Sequence, residues 1–105
     1  MGDRGIAVLR FSDEYGADLA VYSHWTGSML RGEVERIIKT PVFRARAGDE
    51  SYAARILIDQ LTKDARDQET GYGVFPFTRD RNPAGLSDGD VEVVVSMVTG
   101  AVSSS

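Results

Sequence analysis

The sequence predicts an α+β domain in the order ββααββ, with an antiparallel sheet packed on one face by two helices. Three observations support this class: β-rich runs lie at both ends of the chain, two segments with helical periodicity lie between them, and turn-rich stretches separate the runs. Helices bracketed by two hairpins are typical of an α+β arrangement. At 105 residues, the chain is expected to form a single domain over residues 1–105.

The first two strands are predicted at residues 4–11, RGIAVLRF, and at residues 18–24, DLAVYSH. Both runs are rich in β-branched and apolar residues, and the turn-forming stretch SDEYGAD joins them. We therefore expect an antiparallel hairpin at the start of the chain.

A helix is predicted from Ser28, because apolar side chains then recur at helical spacing, at Leu30, Val34, Ile37, Ile38 and Val42. Glu35 and Lys39 stand four residues apart in the order that favours an ion pair. Pro41 lacks the backbone N–H that a helix interior requires. The helix is therefore expected either to kink there, or to give way to a new short helix that Thr40 caps and Pro41 begins.

The second helix is predicted to begin after Asp49, a favourable N-cap residue, and to run to about Arg66. Its apolar stripe consists of Ala53, Ile56, Leu57 and Leu61.

Two more strands are predicted near the C-terminus. The run YGVFPF contains a proline, which favours an edge strand or a bulge. Residues 91–98, VEVVVSMV, are the clearest strand of the chain, with Val91, Val93, Val95 and Met97 on one face. The tail at about 99–105 is expected to fray.

Composition excludes several classes of protein. The chain has no apolar run near the length of a membrane span and no apolar segment of the secretory type at its N-terminus, so a cytoplasmic location is expected. It contains no cysteine and a single histidine, which makes a metal site improbable, and we expect no cofactor. A formal charge of −4 argues against non-specific binding of nucleic acid.

The junction SHWTGS, between the second strand and the first helix, is the strongest candidate site. The N-terminal turn of a helix presents unpaired N–H groups and a partial positive charge, which together favour phosphate or carboxylate. Gly27 would let a ligand approach this backbone, Thr26 and Ser28 offer hydroxyls, His24 offers a donor, and Trp25 a face for stacking. The structural alternative is a corner of the fold, with Trp25 in the core and Thr26 as an ordinary N-cap.

The stretch ETGYG is a second candidate, since Thr70, Gly71 and Tyr72 lead from a helix into a strand. The glycines indicate either a helix C-cap turn or a backbone pressed close to a ligand. Arg4 and Arg55 are cations that could neutralise an anionic ligand, or could be solvated surface residues.

Four motifs, taken together, resemble a family of small uncharacterised proteins found in phages, prophages, actinobacteria and haloarchaea. They are GDR at residues 2–4, YSHWTG at residues 22–27, YAARI at residues 52–56 and ETGYG at residues 69–73. Thr26 stands where that family usually has a glycine. The resemblance implies that polar and glycine residues carry the recurring pattern, and that they converge at one end of the sheet; these are Arg4, His24, Trp25, Arg55, Thr70 and Gly71.

These observations favour a small non-catalytic binding protein for an anionic, nucleotide-like ligand. The resemblance suggests a phage-type sequestering or counter-defence role. The candidate ligand-binding residues are Arg4, His24, Trp25, Thr26, Gly27, Ser28, Arg55, Thr70, Gly71 and Tyr72.

Two alternatives remain open from the sequence. One is a phage-type inhibitor that binds a host enzyme through exposed Tyr15, Phe75 and Phe77. The other is a small hydrolase with His24 as general base and Asp3 orienting it. A homodimer through the edge strand near Phe75 is also expected to be favourable for so small a core.

Overall fold

The structure, a computed structural model, describes residues 4–24, 27–65, 71–77 and 91–104. The described chain forms five strands: β1 (Gly5–Arg10), β2 (Asp18–Ser23), β3 (Tyr72–Phe77), β4 (Val91–Ser96) and β5 (Val102–Ser104). It also forms three α-helices: α1 (Gly27–Ile38), α2 (Pro41–Arg44) and α3 (Glu50–Leu61). The mixed α and β class is confirmed, but the predicted order ββααββ lacks the short helix α2 and the strand β5.

The five strands form one sheet in the order β3-β2-β1-β4-β5. The hairpin β1–β2 is antiparallel, as predicted, and so are the pairs β2–β3 and β4–β5. The prediction of a purely antiparallel sheet is wrong, because β1 and β4 are parallel. This register sets Val93 beside Ala7 and Val95 beside Leu9, so that apolar residues of both strands share one buried face.

The helices cover that face of the sheet and enclose the main core. Helix α1 packs on β1 and β4, and α3 packs against α1 and α2. Most residues of the two predicted helical stripes are buried here, together with Val93, Val95 and Met97 of the last predicted strand; they are Leu30, Val34, Ile37, Ala53, Ile56, Leu57 and Leu61. The core therefore lies where the sequence periodicity placed it, but three helices rather than two cover it.

Thr40 ends one helix and begins the next. Its hydroxyl donates to the carbonyl of Ile37 at 2.6 Å and accepts from the backbone N–H of Phe43 at 3.4 Å. Pro41 is the first residue of α2, so the second of the two expected outcomes is the one observed. The break changes the helical phase: Phe43 is buried, while Val42, which the periodicity assigned to the core, is 50% exposed.

Helix α3 ends at Leu61, earlier than the predicted Arg66. The hydroxyl of Thr62 donates to the carbonyl of Ile58 at 2.8 Å, and a one-turn 3₁₀ helix, Lys63–Ala65, follows. At the other end, Asp49 occupies the N-cap position as predicted. Its carboxylate, however, makes no capping hydrogen bond and instead contacts Arg46 at 3.2 Å.

The face of the sheet away from the helices carries a second apolar cluster. Ile6, Val8 and Val94 are buried there, and partly buried aromatic side chains pack against them, from Tyr22, Phe75 and Phe77. The expected exposed contact surface on β3 is therefore reduced, since Phe75 and Phe77 already pack within the chain.

The two outer strands of the described sheet agree with one prediction from the sequence and depart from another. Strand β3 lies at one edge, as its proline predicted. Strand β5 forms the other edge, although the tail at 99–105 was expected to fray. Within the described residues, no helix is long and apolar enough to cross a membrane.

Candidate functional site

Four chain segments meet at one end of the sheet. Strands β1, β3 and β4 begin at this end and β2 finishes there, because Gly5 pairs with Ser23 and with Val91, and Ser23 pairs with Tyr72. Helix α1 begins four residues after Ser23. This end of the sheet therefore contains most of the candidate binding residues that the structure describes.

His24 directly follows β2 and is held through both its backbone and its ring. Its backbone N–H donates to the carbonyl of Gly71 at 3.0 Å, which extends the β2–β3 ladder by one residue pair. Gly71 adopts a φ of 105°, a conformation that side chains other than hydrogen rarely allow. The positive φ therefore accounts for a glycine at position 71, where the chain turns into β3 and pairs with His24.

The imidazole of His24 lies on the face of the sheet away from the helices. Its Nδ1 atom is 2.8 Å from the hydroxyl oxygen of Tyr22, and the two rings are 6.1 Å apart between centroids. Tyr22 itself packs against the second apolar cluster. This hydrogen bond joins Nδ1 of the imidazole to the hydroxyl of Tyr22.

Arg4 stands next to His24 across the hairpin. Since Gly5 pairs with Ser23, the residue before β1 and the residue after β2 come next in the same antiparallel register. Arg4 is partly buried. The arginine and the histidine that were predicted for the site are thus neighbours, although they stand twenty positions apart in the sequence.

The N-terminal turn of α1 completes this end of the sheet. Gly27, its first residue, is buried, and Ser28 is exposed. The first turn contains no acidic side chain that would offset the helix dipole. The N-terminus of α1 therefore lies at this end of the sheet on the helix-covered side, while the imidazole of His24 lies on the opposite face.

Two candidate residues do not share this environment. Tyr72 pairs with Ser23 and packs against the main core, on the helix-covered face. Arg55 is exposed on α3, in the helical layer. The sheet therefore separates both side chains from the imidazole of His24. Trp25, Thr26 and Thr70 lie outside the described residues, as does Asp3.

Tyr72 instead lines a cavity of about 250 Å³ on the helix side of the same sheet end. Its other walls come from the first turns of α1, the C-terminal end of α3 and the 3₁₀ helix that follows, including Met29, Leu61 and Lys63. Glu33 and Asp64 also line it, so its charge is mixed. Such a lining suits a neutral or zwitterionic group better than a phosphate.

Two residues of this region were not selected from the sequence. Tyr22 could have been found, because alternation along a strand places it on the same face as His24. Glu92 could not, because it reaches this face only through the parallel register that sets it beside Ile6, which in turn pairs with Tyr22. Among the described residues, no group of histidine and carboxylate side chains could hold a metal ion.

No protein-family model, curated protein or solved structure matches this chain.

Proposed function

We propose that the protein is a non-catalytic binding protein for an anionic, nucleotide-like ligand, which binds at the sheet end formed by Arg4, His24 and the first turn of α1. The observation that carries this proposal is the register of the first hairpin. It brings Arg4 beside His24 at the point where a helix of twelve residues begins. The resemblance to a phage-associated family favours sequestration of a signalling nucleotide as the biological role.

Each group would contribute a different part of the recognition. The guanidinium of Arg4 can bind two oxygens of a phosphate through parallel hydrogen bonds. The imidazole of His24 donates a further hydrogen bond, and backbone N–H groups at Gly27 and Ser28 supply neutral donors in the favourable field of the helix dipole. The anionic part of the ligand would therefore be bound by three different kinds of donor.

The contact of Tyr22 with Nδ1 supports binding rather than hydrolysis. A histidine that acts as a general base is usually oriented through its second nitrogen by a carboxylate, which stabilises the imidazolium that forms. Here the Nδ1 atom is bound by a neutral phenol at 2.8 Å. We therefore assign His24 the role of hydrogen-bond donor.

Glu92 opposes anion binding at this face. It lies in the row Tyr22–Ile6–Glu92, two strands from Tyr22, which corresponds to a separation of about 10 Å. A ligand anion would therefore bind on the β2 side of the sheet end, close to His24 and away from β4. Glu92→Gln is expected to strengthen binding of an anion at this site.

A thermal-shift screen against nucleotides, cyclic nucleotides and ADP-ribose derivatives tests the proposal. Ligand at about 100 times its Kd adds about 2.7 kcal/mol to the free energy of unfolding. For a domain of this size, the melting temperature should then rise by ~10 °C. We expect His24→Ala and Arg4→Gln to abolish the shift and Glu92→Gln to enlarge it.

Arg55→Gln is the matched control, because it removes an arginine that the sheet separates from His24. It should keep the wild-type shift. The proposal fails if no compound shifts the wild-type protein, or if His24→Ala and Arg4→Gln, folded, respond as the wild type does.

The alternative of a protein-interaction inhibitor gains no specific support. Among the described residues, the most exposed large hydrophobic side chains each belong to a different element or turn; they are Tyr15, Met29, Val42, Tyr52, Val74 and Val98. Singly exposed apolar residues are normal on a protein surface. The binding of a host enzyme and the homodimer through β3 stay predictions from the sequence.

A further inference from the structure

A second cavity, of about 410 Å³, lies at the opposite end of α1 from His24. Ile38 and Lys39 at the end of α1, Phe43 and Arg44 in α2, and Thr99 after β4 contribute to its walls. Helix α1 has twelve residues, so about 18 Å separates its two ends. This cavity is therefore distinct from the site proposed above.

Among the described residues, neither Lys39 nor Arg44, the two basic residues of this cavity, has an acidic partner. The sequence predicts an ion pair of Lys39 with Glu35, but Glu35 accepts a hydrogen bond from Arg31 instead. The side chains of Lys39 and Arg44 are exposed, and neither forms an ion pair or a hydrogen bond within the described chain. The other carboxylates of this part of the chain are also bound by arginines, in the pairs Arg36–Glu33 and Arg46–Asp49.

The remaining walls favour an anion that carries a small organic body. None of the described residues that line the cavity is acidic. The hydroxyl oxygen of Thr99 accepts from the backbone N–H of Ala101 at 3.2 Å, and a hydroxyl that accepts can still donate its own hydrogen. Ile38 and Phe43 supply apolar surface beside these polar groups. A volume of this size is within the range of small-molecule sites.

We propose that this cavity binds the phosphate group of a small phosphate monoester, through Lys39, Arg44 and the hydroxyl of Thr99. A phosphate monoester carries a charge of about −1.5 to −2 at neutral pH, which two cations balance and one would not. Because the whole chain has a formal charge of −4, general electrostatics repel such a ligand. Its binding therefore depends on this local pair of cations.

Lys39 directly follows α1 and Arg44 is the last residue of α2, so both cations lie near helix C-termini, where positive charge stabilises the helix dipole. This role predicts that neutralising either residue lowers stability and leaves ligand affinity unchanged. A binding role predicts lost affinity in a protein that stays folded. The two roles are separated when affinity and melting temperature are measured on the same variants.

Titration of ¹⁵N-labelled protein with phenyl phosphate at constant ionic strength provides the test. We expect saturable amide shifts at Ala47, Thr99 and Gly100. Lys39→Gln and Arg44→Gln should each weaken binding about tenfold or more, as expected for the loss of a hydrogen bond to a charged group. Arg36→Gln, a neutralisation on the same helix away from the cavity, should leave the affinity within about twofold of wild type.

Three results would overturn the proposal. The first is the absence of saturable shifts at these amides in the folded wild-type protein. The second is an equal loss of affinity in Arg36→Gln, which would indicate that the overall positive charge around α1, rather than contacts in the cavity, attracts the ligand. The third is equal binding of benzoate, which would remove the requirement for a phosphate group. All three leave the site at His24 unaffected, because that site is tested with His24→Ala.

Discussion

At the scale of single residues, the hydroxyl of Tyr22 determines how His24 is presented. The imidazole could turn toward either side of the hairpin end, but its hydrogen bond at 2.8 Å holds it beside the second apolar cluster. Tyr22 is anchored by packing, so the orientation of His24 depends on a residue that has its own structural role. This arrangement pre-organises the donor before a ligand arrives.

Tyr22→Phe removes this hydrogen bond and keeps the packing of the ring. We expect the free energy of unfolding to fall by about 1 kcal/mol, the usual net value of one hydrogen bond. Ligand-induced thermal shifts at the His24 site should also shrink, because the imidazole loses its fixed orientation. Urea denaturation and the thermal-shift screen measure the two effects.

Tyr52→Phe is the matched control, since Tyr52 is 58% exposed on α3. Its ring lies 5.5 Å from the guanidinium of Arg46, a contact that phenylalanine preserves. Stability should change by less than about 0.5 kcal/mol. Equal behaviour of the two variants would show that the Tyr22–His24 contact contributes nothing.

At the scale of elements, a substitution of alanine for glycine at two positions tests whether backbone conformation or packing controls stability. Gly32 lies inside α1, and a methyl group added there would meet no atom within 4 Å. Gly16 follows the 3₁₀ turn Asp13–Tyr15 with a φ of 73°, and a methyl group there would also meet nothing. The two positions differ in backbone conformation and agree in available space.

The same substitution should therefore have opposite effects at these positions. Gly32→Ala is expected to raise the free energy of unfolding by about 0.5 to 1 kcal/mol, because alanine has the higher helix propensity. Gly16→Ala should lower it by about 1 to 2 kcal/mol, because a left-handed conformation strains a residue with a side chain. Chemical denaturation of both variants measures the difference, and a common sign would refute the argument.

At the scale of the whole molecule, the last strand closes one edge of the sheet. Strand β5 pairs with β4 from Val93 to Val95, and the carbonyl of Ala101 accepts from the backbone N–H of Ser96 at 2.9 Å. Val102 packs against the main core. The C-terminal residues thus contribute to the same cooperative structure as the hairpin at the start of the chain.

Deletion of residues 101–105 should lower the free energy of unfolding by about 2 kcal/mol, through lost ladder hydrogen bonds and the lost packing of Val102. Denaturation by urea would measure this change. Ser103→Ala, which keeps the backbone ladder, should stay within about 0.5 kcal/mol of wild type. An unchanged midpoint after the deletion would mean that β5 does not stabilise the fold.

The sequence by itself determined the elements whose signal is local. Apolar periodicity located α1 and α3 and the buried face of β4, turn residues located the hairpin β1–β2, and the proline in YGVFPF located an edge strand. These predictions succeed because side-chain spacing and backbone propensity act within a few residues. The end of α3 and the helical phase after Pro41 were harder to predict from the sequence, because they depend on hydrogen bonds of Thr62 and Thr40.

Only the tertiary structure decided which residues lie together. The parallel pairing of β1 with β4, the addition of β5, and the sheet face of each side chain all depend on contacts between distant parts of the chain. From the sequence, Arg4, His24 and Arg55 were expected to lie together; the register brings the first two to the same end of the hairpin, while the sheet separates Arg55 from His24. The sequence also could not show that Lys39 and Arg44 lack ion-pair partners among the described residues. Glu35 stands four residues from both Arg31 and Lys39, and spacing alone does not show that it binds Arg31.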